Sequence, residues 1–134
     1  MAETAKNTPH GRPGHVLVVD DEHSVREFLR RALTTDHCKV TTIANGFEAV
    51  EFYRQNFRDV DLIILDMIMP EMDGWVAFKE FRRINPAAKV VVASGYAIDG
   101  VVSQCMAAGA LELITKPYDL DKIRGAVKKY LASK

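Results

Sequence analysis

Five short apolar runs alternate with five segments of helical hydrophobic period, and that alternation leaves few folds open to the chain. The runs are Val16 to Asp20, Cys38 to Ile43, Leu62 to Leu65, Lys89 to Ala93 and Leu111 to Thr115. Short runs rich in β-branched residues and bounded by polar ones are the pattern of strands buried on both faces. Between them the apolar residues recur at helical spacing. Val25, Phe28, Leu29, Ala32 and Leu33 stripe a predicted helix from Ser24 to Thr35. Phe47, Ala49, Val50 and Tyr53 are the residues available for burial in a helix from Gly46 to Asn56. Trp75, Phe78, Phe81 and Ile84 serve a helix from Gly74 to Ile84, which Asn85-Pro86 ends. A short helix from Val101 to Ala108 stops at Gly109, and Leu120, Ile123, Val127 and Leu131 stripe the last one. Strands separated by single helices predict an α/β fold, a doubly wound parallel sheet of five strands with helices on both faces.

At 134 residues the chain is long enough for one well-buried core. Met1 to His15 is polar, holds Pro9, Gly11, Pro13 and Gly14, and has no period. We therefore expect residues 1–15 to be a disordered tail or linker, with His10 and His15 solvated, and residues 16–134 to be the domain. Formal net charge is zero with acids and bases mixed, which argues against nucleic-acid binding, since that requires a basic stripe. No apolar stretch is long enough to span a membrane and no signal peptide is evident, so a cytoplasmic protein is expected. Cys38 and Cys105 have neither metal-ligand nor disulfide spacing and are expected to be buried thiols.

The polar residues that close the runs hold the chemistry. Asp20-Asp21 closes the first, Asp66 the third, Ser94-Gly95 the fourth and Lys116-Pro117 the fifth. In an open parallel sheet the working crevice lies beyond the carboxyl ends of the strands, so the fold gathers three carboxylates and an ammonium there. Two carboxylates roughly 5 Å apart repel by about 3 kcal/mol at an effective dielectric near 20, so such a trio requires a cation. Mg²⁺ fits, because it takes one or two carboxylates, phosphate oxygens and waters. Asp66 is the candidate phosphoacceptor, since a carboxylate oxygen can attack phosphorus to give an acyl phosphate. Glu22 and Asp73 read as helix caps or turn residues.

The whole pattern resembles the receiver domain of bacterial two-component response regulators. The resemblance rests on Asp20-Asp21, on Leu65-Asp66-Met67-Ile68-Met69-Pro70-Glu71-Met72-Asp73-Gly74, on Ser94-Gly95, on Gly109-Ala110 and on Lys116-Pro117-Tyr118, in that order. It implies the flavodoxin-like strand order 2-1-3-4-5. It also implies that Asp21, Asp66 and the backbone carbonyl of Ile68 ligate Mg²⁺, while Asp20 acts mostly through bound water. Lys116 would pair with phosphoryl oxygens, its bond to Pro117 being cis, and the Ser94 hydroxyl would bond the phosphoryl group once Asp66 is modified. A histidine kinase or phosphotransfer protein would be the donor, and the face of the fourth helix, fifth strand and fifth helix the output surface toward a partner the sequence does not name. The chain would be a signalling receiver that catalyses only its own phosphorylation and dephosphorylation. One departure is Leu113, where most family members have Tyr or Phe; Tyr96 is a possible substitute. The Ser94-Gly95-Tyr96-Ala97 stretch is similar to receivers of hybrid kinases, and both a stand-alone regulator and an excised receiver stay open.

A different class, a haloacid-dehalogenase-type Mg²⁺ phosphatase with Asp66 as nucleophile, is the alternative. It requires a second acid two residues after the nucleophile to protonate the leaving group, and here that residue is Ile68. A flavin-binding domain requires a Ser/Thr/Gly-rich phosphate loop after the first strand, where Asp20-Asp21-Glu22 would repel phosphate.

Overall fold

The computed structural model describes residues 9, 11–95 and 100–133. Five strands and five helices alternate along the chain. They are β1 (His15–Val19), α1 (His23–Thr35), β2 (Lys39–Ile43), α2 (Gly46–Asn56), β3 (Leu62–Asp66), α3 (Gly74–Ile84), β4 (Val90–Ser94), α4 (Gly100–Ala107), β5 (Glu112–Thr115) and α5 (Leu120–Ala132). The strands form one parallel sheet in the order β2-β1-β3-β4-β5.

Because side chains alternate across a strand, the same runs feed two cores. Leu17, Val19, Ile63, Leu65, Val90 and Val92 face α2, α3 and α4, where they meet Val50, Tyr53, Phe78, Phe81, Val102 and Cys105. Val16, Val18, Leu62, Ile64, Val91 and Ile114 face α1 and α5, where Leu29, Leu33, Ile123, Val127 and Leu131 close over them. Both cysteines are buried and neither is in a disulfide, in line with the expectation of buried thiols. Helix ends follow local chemistry. Asn45 accepts from the Glu48 amide at the start of α2, Asp73 from Val76 at α3, and Asp119 from Lys122 at α5.

Three expectations change. His15 is not a solvated tail residue but the first residue of β1, 3% exposed. Its ring contacts the Asp59 carbonyl at 3.1 Å and Thr41 Oγ1 at 2.8 Å, and its amide donates to Asp61. Asp61 also receives two bonds from Arg12, so ordered contacts begin before Val16. Phe47 is 57% exposed, because Gly46, Ala49, Val50 and Tyr53 already form the buried face of α2. Glu22 occupies the position before α1 but makes no side-chain cap, since its carboxylate is directed elsewhere.

Two glycines are dictated by space or dihedral. Gly109 ends the turn after α4 with φ of +108°, and Arg82 donates to its carbonyl at 2.7 Å. Gly74 opens α3 directly against Met67, the residue after Asp66; a Cβ there would stand 2.7 Å from the Met67 Cα. Backbone cannot yield as a flexible side chain can, so Gly74→Ala is expected to cost about 1–3 kcal/mol in chemical denaturation. A loss below about 0.5 kcal/mol would show that the β3–α3 turn is not tightly packed.

Candidate functional site

Register brings the site together. Val19 pairs with Leu65, so Asp20 and Asp66 leave neighbouring strands at one level. Asp66 pairs with Ala93 and Ser94 with Thr115, which puts Ser94 and Lys116 on the same rim. The Lys116 amide donates to the Ser94 carbonyl at 2.8 Å, tying the two loops. Residues separated by up to 96 positions in the chain thus share one edge of the sheet (20 to 116).

Asp20 is 1% exposed and Asp66 4%, whereas Asp21 lies open to solvent. Carboxylate oxygens of the three lie within 4.8 Å of one another. The Lys116 ammonium sits among them, 2.8 Å from Asp20 Oδ2, 3.4 Å from Asp66 Oδ2 and 3.3 Å from Glu22 Oε1. Glu22 is therefore a fourth acid of the site rather than a helix cap. Asp20 Oδ1 accepts from the Glu22 amide and Asp66 Oδ1 from the Ile68 amide. Asp20 Oδ2 is buried and, despite the nearby ammonium, has no aligned hydrogen bond. A buried oxygen with an unsatisfied lone pair beside two further carboxylates is the donor set a hard divalent cation takes, so the residues fit Mg²⁺.

The electrostatics follow from crowding. Burial first, then the Asp20 charge, raises the Asp66 pKa from 3.8 to about 6, against the pull of Lys116 and the Ile68 amide. Burial works against the Lys116 ammonium, but Asp20, Asp66 and Glu22 together hold its pKa above the ordinary lysine value. Burial, followed by the charges of Asp20, Asp66 and Glu22, pushes the Tyr118 hydroxyl above the usual tyrosine range, so it stays protonated. The Lys116-Pro117 bond is cis. The Ser94 side chain is fully buried at the end of β4. Leu113 is partly buried against the α2–α4 core. Ile68 is 53% exposed beside Asp66. Tyr96 and its loop lie outside the described residues.

Sequence reasoning missed Arg26. Its guanidinium donates to the Asp20 carbonyl at 2.9 Å. The only signal was its position one turn into the helix that follows the acid pair.

Residues 16–128 match the family described as the response regulator receiver domain. The chain belongs to that family. This receiver domain is 33% identical over 119 residues to sporulation initiation phosphotransferase F of Bacillus subtilis, covering 89% of this chain and 94% of that protein. It is 34% identical over 117 residues to chemotaxis protein CheY of the same organism, covering 87% and 96%. The crystal structure of the CheX–CheY–BeF3–Mg²⁺ complex from Borrelia burgdorferi superposes with a TM-score of 0.88 at 28% identity, covering 98% of this chain and 100% of that one. The chain is thus a signalling domain of two-component systems with the flavodoxin-like fold its strand order implied, and the phosphatase alternative has no support. No helix among the described residues is long and apolar enough to cross a membrane.

The raised Asp66 pKa sets a stability profile for the metal-free protein. The folded state binds this proton more tightly than the unfolded chain, so stability falls as pH rises from about 4 to about 6. Asp66→Asn removes that cost. It is expected to stabilise the protein in EDTA by up to about 3 kcal/mol at pH 7 and by little at pH 4, read from urea unfolding. Equal stability of the two proteins at pH 7 would contradict the crowding.

Proposed function

We propose that this receiver domain accepts a phosphoryl group onto Asp66 from a phosphohistidine of a histidine kinase or phosphotransfer protein, with Mg²⁺, and passes the change to a partner. What supports this reading most directly is the cluster of Asp20, Asp21 and Asp66 around a buried oxygen that lacks an aligned bond, with the Lys116 ammonium in contact. Asp21, Asp66 and the Ile68 carbonyl would hold the ion, with Asp20 acting through water. When bound, Mg²⁺ neutralises the carboxylates and the phosphoryl oxygens so that anion can approach anion.

The chain's own residues do the rest. An Asp66 carboxylate oxygen forms the new bond to phosphorus as the phosphorus–nitrogen bond of the donor imidazole breaks, and that nitrogen regains a proton. The Ile68 amide holds Asp66 Oδ1, which orients the nucleophile. Lys116 leaves its carboxylate partners for the phosphoryl oxygens, a motion suited to a flexible ammonium. Ser94, at the rim beside Asp66, donates its hydroxyl to a phosphoryl oxygen on the modified side chain. Protein catalysis is thus confined to the domain's own phosphorylation and dephosphorylation. We further propose a cytoplasmic location and a receiver unit spanning the matched region through α5, its start extended to the Arg12–Asp61 contact. Sensor kinase CckA of Brucella abortus is 35% identical over 116 residues, which are 12% of that protein. A receiver within a longer kinase is therefore one context the chain would suit, beside a stand-alone regulator.

Incubation with acetyl phosphate and Mg²⁺, followed by intact mass measurement, tests the acceptor. The wild type is expected to gain one labile phosphoryl group, released by hydroxylamine as an acyl phosphate is, only with divalent metal, and Asp66→Asn none. An unmodified wild type that nevertheless binds Mg²⁺ would overturn the proposal.

Lys116 separates metal binding from response. Its ammonium occupies the acids in the metal-free state, so Lys116→Ala at pH 8 is expected to bind Mg²⁺ at least as tightly while failing to switch on phosphorylation. Titration followed by Trp75 fluorescence or calorimetry reads the first, and amide shifts along β4 and α4 read the second. A large loss of Mg²⁺ affinity would contradict these roles.

A further inference from the structure

Asp20, Asp21 and Glu22 are the whole connection between β1 and α1, three adjacent acids in a turn. Such a segment repels itself, and the usual helix-start devices are missing from it. Glu22 makes no side-chain cap, and the first turn of α1 holds no acid that could bond back. Among the described residues the Asp21 carboxylate has no side-chain partner to orient it. The backbone therefore sets where its Cβ departs, and with it the rotamers that reach the site.

Four bonds define that backbone. The Asp20 amide donates to the Ile43 carbonyl at 3.1 Å, and the Glu22 amide to Asp20 Oδ1 at 2.9 Å. The other two come from Arg26. Its amide donates to the Glu22 carbonyl at 3.1 Å, and its guanidinium to the Asp20 carbonyl at 2.9 Å. The Asp20 carbonyl belongs to the peptide plane before the Asp21 Cα and the Glu22 amide to the plane after it, so holding both restricts the departure of the Asp21 side chain. A charge-assisted bond to a half-buried carbonyl is among the stronger hydrogen bonds available here.

We propose that Arg26 is a positioning residue of the metal site, holding the Asp20–Asp21 peptide so that the Asp21 carboxylate faces Asp66. The inference rests on the metal reading of the acid cluster given above. It has a sign that distinguishes it from plain electrostatics. A nearby cation repels Mg²⁺, so if Arg26 acted only by its charge, its removal would tighten metal binding. If it positions a ligand, removal weakens binding, and loss of an outer partner of a metal ligand typically costs tenfold or more.

Arg26→Gln is expected to weaken Mg²⁺ binding about tenfold in calorimetric titration at pH 8. Arg26→Lys keeps the charge but lacks the guanidinium fork, and is expected to fall between the two. Should the glutamine variant not fold, the lysine variant decides: weakened affinity at unchanged charge supports the proposal, and wild-type affinity overturns it. A metal-free arm uses hydrogen exchange of the Glu22 amide in EDTA, expected to be at least several-fold faster in either variant, while the amide of Leu29 on the same helix keeps its wild-type protection. Unchanged Glu22 protection, or tighter Mg²⁺ binding, would overturn the proposal. Faster exchange in the variants of a protein that binds no Mg²⁺ would support the positioning of the loop and overturn the metal reading instead.

Discussion

The Lys116 ammonium amid Asp20, Asp66 and Glu22 is the interaction on which the rest of this structure depends. Asp20 and Asp66 are almost fully buried at the ends of the two central strands, and their register leaves them no route apart. Without a cation between them, the desolvated pair would favour uptake of a proton over two charges. Lys116 supplies that cation from the far strand, across β4, and so couples the β1, β3 and β5 loops electrostatically. A flexible ammonium that bridges three loops is also a group readily redirected when a more strongly charged ligand arrives. The same ammonium thus serves the resting fold and the response proposed for it.

That arrangement also explains why the site tolerates being unstable. Asp66 is raised to about 6, so at neutral pH the metal-free domain holds a carboxylate its surroundings disfavour. The two cores beneath it compensate. Strand residues from Val16 to Val19 and from Leu62 to Leu65 are buried on both sides by helices that contribute Leu29, Phe78, Phe81 and Ile123. Apolar burial of this kind contributes about 1.5–3 kcal/mol for each large side chain, so several of them together outweigh the cost of one displaced protonation equilibrium. The disfavoured charge sits at the rim and the apolar packing in the layers beneath it.

Much of this was legible in the residues because two periods, one for strands and one for helices, are written over the whole chain. The strand bounds came within a residue or so, and Asp20, Asp21, Asp66, Ser94 and Lys116 fell on one edge as the ends of apolar runs implied. What escaped was decided by tertiary partners. His15 looks like a tail residue until Asp61, Asp59 and Thr41 are beside it. Phe47 is apolar and in a helix, but α2 presents its small residues and Tyr53 to the sheet instead. Glu22 has the sequence position of a cap and the spatial position of a counter-ion. No period or propensity distinguishes those alternatives, because each depends on a residue many positions away.

Arg26 illustrates the same limit from the other side. A lone arginine on an amphipathic helix is ordinarily a solvated face, and its neighbours Arg30 and Arg31 are exposed in that way. Position within the turn makes the difference. Four residues after the position preceding α1, its side chain points back over the first turn toward the strand end, as helical side chains do. There it meets the Asp20 carbonyl, next to Asp21 in the chain. Arg30, one turn further on, bonds Glu27 on its own helix. A cation moved by a single turn thus exchanges a surface ion pair, worth little to stability, for the backbone bond on which the proposed positioning of Asp21 rests.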